Sequence, residues 1–179
     1  RADHDLLRQY SKGIIALSAC IQGEVPQYIL QDNMEGARRA VEWYIETFGK
    51  DNFFLEIQNH GLPEELRAQQ VLCQLADEYG LGIVASNDFH YVMKDDADAQ
   101  DIRVCIQTGR RRAEVDRLKF PNDEFYLKSG DEMAELFGHI PGALENTLKI
   151  ADRCNVEFNF DEHHLPHFDV PEGETSKTY

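Results

Sequence analysis

Residues 53–92 read "FFLEIQNHGLPEELRAQQVLCQLADEYGLGIVASNDFHYV", and this stretch decides the architecture. Phe53-Phe54-Leu55-Glu56-Ile57 is short, apolar and aromatic, the texture of a buried strand. Pro63 marks a helix start, because the first helical position needs no N–H partner. Leu66, Val71, Leu72, Leu75 and Tyr79 roughly follow helical spacing until Gly80. Ile83-Val84-Ala85 then reads as another strand and runs straight into Asp88 and His90.

Upstream, Gly13-Ile14-Ile15-Ala16-Leu17-Ser18 is a compact apolar run that predicts a further strand. Asp32 and Glu35 have capping-box spacing and predict a helix through Trp43, Tyr44 and Phe48, ending at Gly49. Strand, helix, strand, helix, strand is the pattern of a parallel α/β sheet or barrel. Such strands are covered on both faces, which explains why these runs are continuously apolar. Downstream, a helix is expected from about Asp95 to Ile106. The texture changes after about residue 107. A polar, basic loop reaches Phe120, and Ser129 with Glu132 predicts a capped helix through Phe137. Pro141 is expected to start one more helix, with Leu144, Leu148, Ile150 and Ala151 on its apolar face.

The 179 residues suit one ordinary domain or one plus a small appendage, and 42% hydrophobic content suffices for a core. A net charge of −15 argues against a dedicated nucleic-acid-binding module, which needs a basic stripe to meet phosphates. Arg110-Arg111-Arg112 is the only basic run, a solvated loop or a phosphate contact. There is no secretory signal and no run long enough to span a membrane, so the expectation is a cytoplasmic protein with no membrane partner. Cys20, Cys73, Cys105 and Cys154 are widely spaced, and free thiols are expected. Cys73, Cys105 and Cys154 fall in helix-like apolar patterns.

In parallel α/β folds, chemistry collects at the carboxyl ends of the strands. The first strand there delivers Cys20, the second Gln58, Asn59 and His60, and the third Asp88 and His90. Thiolate, imidazole and carboxylate suit zinc or another first-row divalent ion. In an extended segment Asp88 and His90 point the same way, so both can face one cavity. A turn at Asn87-Asp88 and a packed core histidine remain open as alternatives. His60, in "NHG", suits a turn or a supporting role better than ligation. His163, His164 and His167 have suggestive spacing, but Pro166 breaks the helix that would align them, and the segment reads as a surface or docking stretch. No nucleophile elbow, P-loop or dinucleotide fingerprint is present, and no catalytic residue is assigned.

Taken together, "GIIALSACIQGEVPQ" (13–27), "FFLEIQNHG" (53–61), "IVASNDFHY" (83–91), "RLKFPNDEFYLKSGDEMAELF" (117–137), "IPGALENTLKIADRCNV" (140–156) and "HLPHFDVPEG" (164–173) resemble the bacterial DNA polymerase III alpha subunit family, the replicative C-family polymerases. The resemblance implies that residues 1–106 are the C-terminal half of a PHP (polymerase and histidinol phosphatase) domain, part of a distorted (βα)7 barrel. Residues 107–179 would be a mainly helical linker leading toward the polymerase palm. It implies a cluster of divalent ions (zinc, manganese or iron), with Cys20, Asp88 and His90 among the ligands. The family's opening His-x-His motif and remaining ligands would lie upstream of Arg1, and its palm, which uses magnesium, beyond Tyr179. The implied activities are DNA-directed DNA polymerisation, a nucleotidyl transfer, and metal-dependent 3′–5′ exonuclease hydrolysis, both for the longer parent and not for this segment alone. DNA, dNTPs and other replisome subunits would be its partners. The rival readings are a non-catalytic PHP scaffold that braces the polymerase and a free-standing PHP phosphoesterase.

Overall fold

Alternation along residues 53–58 sets the layers of the structure. Phe53, Leu55 and Ile57 point to one side and Phe54, Glu56 and Gln58 to the other. The first three are almost completely buried and pack with Ala37, Ala40, Val41, Ala68, Leu72, Leu75 and Ala76 in one core. The computed structural model describes residues 2–162, 169–175 and 177–178. Within them, β1 (Ala16–Leu17), β2 (Phe53–Ile57) and β3 (Gly82–Ala85) form a parallel sheet in the order β1-β2-β3. Ala16 pairs with Phe53, Phe54 with Gly82, and Ile57 with Ala85. Among the described residues these three strands form one small parallel sheet in a mixed α/β fold.

Parallel neighbours need a crossover, and helices supply it. Two short helices, α1 (His4–Gln9) and α2 (Glu24–Leu30), flank β1, and α3 (Met34–Phe48) leads into β2. The second crossover is α4 (Pro63–Tyr79), which connects β2 to β3. Gly80 closes α4 in the left-handed conformation, its N–H donating to the Ala76 carbonyl, which frees the chain to turn into β3. Gly23 is required for packing. A Cβ there would lie 2.1 Å from the Ser18 carbonyl oxygen, so α2 could not start against the end of β1.

Several boundaries differ from the sequence expectation, each for a local reason. β1 is shorter because Gly13 adopts φ 78° and the Ile14 N–H donates to the Ser11 carbonyl, so the chain is still turning there. Asn33, not Asp32, caps α3, its side chain accepting from the Gly36 N–H at 2.9 Å. Asp32 instead takes φ 58° in the tight reversal after α2. The expected helix near residue 95 is a 3-10 turn at Lys94–Asp96 followed by α5 (Ala97–Thr108).

The later segment packs into the same core. Ser129 and Glu132 cap α6 (Gly130–Phe137) reciprocally, as their spacing predicts. Phe137, Ile140 and Ala143 join the core around β2. Pro141 lies in the turn before the last helix, α7 (Glu145–Arg153), and does not start it. This turn covers the outer edge of β3. The Ala85 N–H donates to the Ala143 carbonyl at 2.9 Å, and Asn146 Nδ2 donates to the Ile83 carbonyl at 2.7 Å. The anchor of α7 is thus polar, and Leu148 stays exposed. Cys154 caps the end of α7 and is exposed, while Cys73 and Cys105 sit in helices, and all four cysteines are free thiols. No helix among the described residues is long and apolar enough to cross a membrane.

Leu55 is fully buried at the centre of the sheet. Leu55→Ala is expected to lower unfolding free energy by about 2–5 kcal/mol. Urea unfolding checks this, and a loss well below 1 kcal/mol would place the core elsewhere.

Candidate metal centre at the carboxyl rim

The three strands end side by side, so their following loops share one rim. Ser18 extends β1, its N–H donating to the Phe54 carbonyl at 3.1 Å and its hydroxyl accepting from the Glu56 N–H at 2.8 Å. Ala19 then turns left-handed at φ 63° and presents Cys20, half-buried, in a narrow cleft with Glu56, Gln58 and Glu65. From β3, the Ser86 N–H donates to the Ile57 carbonyl at 3.0 Å. The Ser86 hydroxyl donates to Glu56, and Gln58 Nε2 donates to both Glu56 Oε1 (3.2 Å) and Ser86 Oγ (3.0 Å). A polar network therefore ties the ends of β2 and β3 together.

Asp88 follows with φ 40°, a second left-handed non-glycine residue at the rim. Strained backbone at both candidate ligand loops is costly and persists only where its surroundings hold it. Here the support is the segment around Phe125. The His90 N–H donates to the Phe125 carbonyl at 2.8 Å, Asn87 Nδ2 donates to the Tyr126 carbonyl at 2.5 Å, and the Leu127 N–H donates to the Tyr91 carbonyl at 3.1 Å. The turn brings Asp88 Oδ1 and His90 Nε2 to 3.4 Å, both partly exposed. Two ligands of one tetrahedral ion with bonds of about 2.0–2.2 Å lie roughly 3.3–3.6 Å apart. The pair is spaced as two donors to a single ion, and equally as an ion pair.

The third expected ligand is not gathered with them. Among the described residues no three His, Cys, Asp or Glu side chains converge closely enough to hold an ion. Cys20 occupies the same rim on a different loop. The donor set thus fits a divalent ion as a partial site of two residues. His163, His164 and His167 lie outside the described residues. The arginine run is largely occupied, with Arg110 paired to Glu114 and Arg112 to Asp98 and Asp101.

His60 is not a ligand, because every polar group it carries has a partner. Its ring Nδ1 faces Glu65 Oε1 at 2.6 Å and its Nε2 faces the Asn87 carbonyl at 2.6 Å. Its N–H donates to Glu65 Oε2 at 2.6 Å, its carbonyl accepts from Asn122 Nδ2 at 2.7 Å, and Phe125 stacks on the ring at 4.0 Å. Both ring nitrogens face acceptors, which a doubly protonated imidazolium satisfies. Burial alone pushes the His60 pKa down, but the bonds to Glu65 and to the Asn87 carbonyl carry it above its ordinary value, against a small opposing effect of Lys128. Burial likewise pushes Glu65 up, and the His60 side-chain and backbone bonds hold it below its ordinary value. Glu65 was not singled out in the sequence, although its place in the first turn after Pro63, five residues beyond His60, is a readable signal.

A parallel sheet with donor side chains at its carboxyl rim is consistent with a PHP-type α/β fold, and the PHP domain family matches residues 1–60. Asp88 and His90 lie beyond that match. The chain is 42% identical to DNA polymerase III subunit alpha of Treponema pallidum (strain Nichols), over 100% of this chain and 15% of the relative. It is 42% identical to the same-named protein of Thermus aquaticus, again over 100% and 15%, and 43% identical to that of Borreliella burgdorferi, over 96% and 15%. The chain carries sequence of the DNA polymerase III alpha subunit family, and it spans about 15% of the length of these relatives.

Two outcomes are expected here. Ala19→Gly relieves a left-handed alanine and raises stability by about 1 kcal/mol in thermal or urea unfolding. The second concerns pH. A raised His60 pKa contributes stability fully below its ordinary 6.5, lost as pH rises through the folded value. The lowered Glu65 pKa contributes above its ordinary 4.5, lost as pH falls through the folded value. The pair therefore stabilises most between those two values. Unfolding free energies of the chain should decline above pH 6.5, and His60→Gln should remove that slope.

Proposed function

We propose that this chain is a segment of a replicative DNA-directed DNA polymerase and that its rim supplies Cys20, Asp88 and His90 to a divalent metal centre. In this reading residues 1–106 are the C-terminal half of a PHP barrel and residues 107–179 lead toward the palm. The observation that carries the metal assignment is the Asp88–His90 pair, 3.4 Å apart at the end of β3. Other parts of the longer polymerase would complete the ligand set. Zinc, manganese or iron bound there would lower the pKa of water and steady phosphoryl charge, supporting 3′–5′ exonuclease hydrolysis of a phosphodiester. Asp88 and His90 act as donors and not as bases, and Cys20 serves as a thiolate. The left-handed turn at Asp88 keeps the two donors on one side, and the Ser86–Glu56–Gln58 network holds the loop behind them.

Polymerisation itself belongs to the palm, with magnesium, DNA and dNTPs, in the cytoplasm among the other replisome subunits. A second reading is a non-catalytic PHP scaffold. It is favoured by the absence, among the described residues, of three converging donors. A free-standing phosphoesterase is disfavoured because the similarity to polymerase subunits runs through residue 179 and not only through the PHP match.

Metal analysis of the longer polymerase separates the first two. Asp88→Asn and His90→Ala are each expected to lower bound metal and exonuclease rate at least about tenfold while polymerisation persists. Unchanged metal content in both variants would show that these two residues are not ligands, and a longer polymerase with no stoichiometric zinc, manganese or iron would establish the scaffold reading.

A further inference from the structure

We infer that His60, held by Glu65, is a positioning residue that sets the geometry of the Asp88–His90 pair through the Asn87 carbonyl. The inference rests on the metal-site reading for its functional meaning, but its geometry stands independently. Asp88 can hold φ 40° only if the peptide before it is fixed, since a free loop would relax to an unstrained conformation. The Asn87 carbonyl is the oxygen of that peptide, and His60 Nε2 donates to it at 2.6 Å. The imidazole cannot rotate away. Glu65 Oε1 takes its Nδ1–H, Phe125 stacks on its face at 4.0 Å with rings 9° apart, and the side chain is fully buried. Phe125 also accepts the His90 N–H at its carbonyl. The loop is thus gripped at both ends of the Asp-x-His unit, at Asn87 by His60 and at His90 by Phe125.

Glu65 is the fixed point. It sits in the first turn of α4, where a carboxylate meets the positive end of the helix. Its second oxygen accepts the N–H of His60, so residue and ring are held by one carboxylate. The path from helix to donor pair runs Glu65, His60, Asn87, Asp88, with each link a hydrogen bond or a peptide bond. It gives the β2 loop a supporting role at the rim without contributing a ligand.

The test compares His60→Leu with His60→Gln in the longer polymerase. Both remove the ion pair with Glu65, but only Gln retains an N–H that can reach the Asn87 carbonyl. Two readouts are used, amide hydrogen exchange of residues 86–91 in metal-free protein and Co2+ titration followed by its absorption spectrum. In His60→Leu, exchange of the His90 amide is expected to rise at least tenfold and Co2+ affinity to fall about 10–100-fold. In His60→Gln both are expected to stay within about threefold of the unaltered protein, with exchange in β2 and α4 serving as the fold control. Equal effects in the two variants, or unchanged loop exchange in His60→Leu, would overturn the positioning role. If His60→Leu does not fold, Glu65→Gln takes its place, with loop exchange expected to rise at least threefold and an unchanged rate counting against the proposal. If the unaltered protein takes up no Co2+, the metal reading fails, while the exchange comparison still decides whether His60 sets the loop.

Discussion

The parallel pairing of β2 with β3 is the constraint on which the rest of the structure depends. Its register, Phe54 with Gly82 through Ile57 with Ala85, fixes which side chains meet the helices and which stand on the opposite face. Because the two strands run the same way, α4 must cross back between them, and its Ala68, Leu72, Leu75 and Ala76 bury the Phe53-Leu55-Ile57 side. The same pairing places both carboxyl ends at one rim. Ser86 then reaches Glu56, and His60 reaches Asn87 across 27 residues of chain. Had the strands been antiparallel, those loops would stand at opposite ends of the sheet.

Much of this was legible in the sequence, because the signals were local. Continuous apolar runs at 53–57 and 83–85, a proline opening a helix and a glycine closing one are readable within a window of a few residues. The Ser129–Glu132 box was readable for the same reason, since both partners lie within one helical turn. Local signals mislead where the deciding contact is distant. Pro141 suggests a helix start, yet the turn it occupies is set by Ala143 and Asn146 bonding to β3. Leu148 suggests a buried face, yet the polar anchor at Asn146 leaves it in solvent. The shortness of β1 follows from the turn at Gly13, which an apolar run conceals.

The candidate site shows the same division. Asp88 and His90 are close in sequence and close in space, but the left-handed turn at Asp88 joins them and not the extended segment that their spacing suggests. Cys20 shares the rim with them, but a common rim is weaker than a common site, and no third donor converges on the pair among the described residues. The His60–Glu65 clamp escaped the sequence because its meaning lies in burial. A histidine in "NHG" and a glutamate in the first turn of a helix are unremarkable until both are seen without solvent. An unpaired charge in that place would be far more costly than the pair.

The clamp also bears on whether this rim is chemical or purely structural. Residues on the helix-facing side of β2 hold the core, and the rim loops could change without disturbing them. A scaffold would retain Leu55 and its neighbours while Asp88 and His90 drifted free of constraint. His60 and Glu65 join the two layers, since their buried charges must remain paired for the core edge to hold, and the paired ring inevitably grips the Asn87 peptide. A fold that needs only bracing has simpler ways to seal that edge, with an apolar side chain over Phe125, for example. The observed solution spends a buried ion pair on a left-handed aspartate whose carboxylate faces an imidazole. That expense is intelligible if the position of the carboxylate matters, and it makes the donor-pair reading the more economical account of why the loop is built this way.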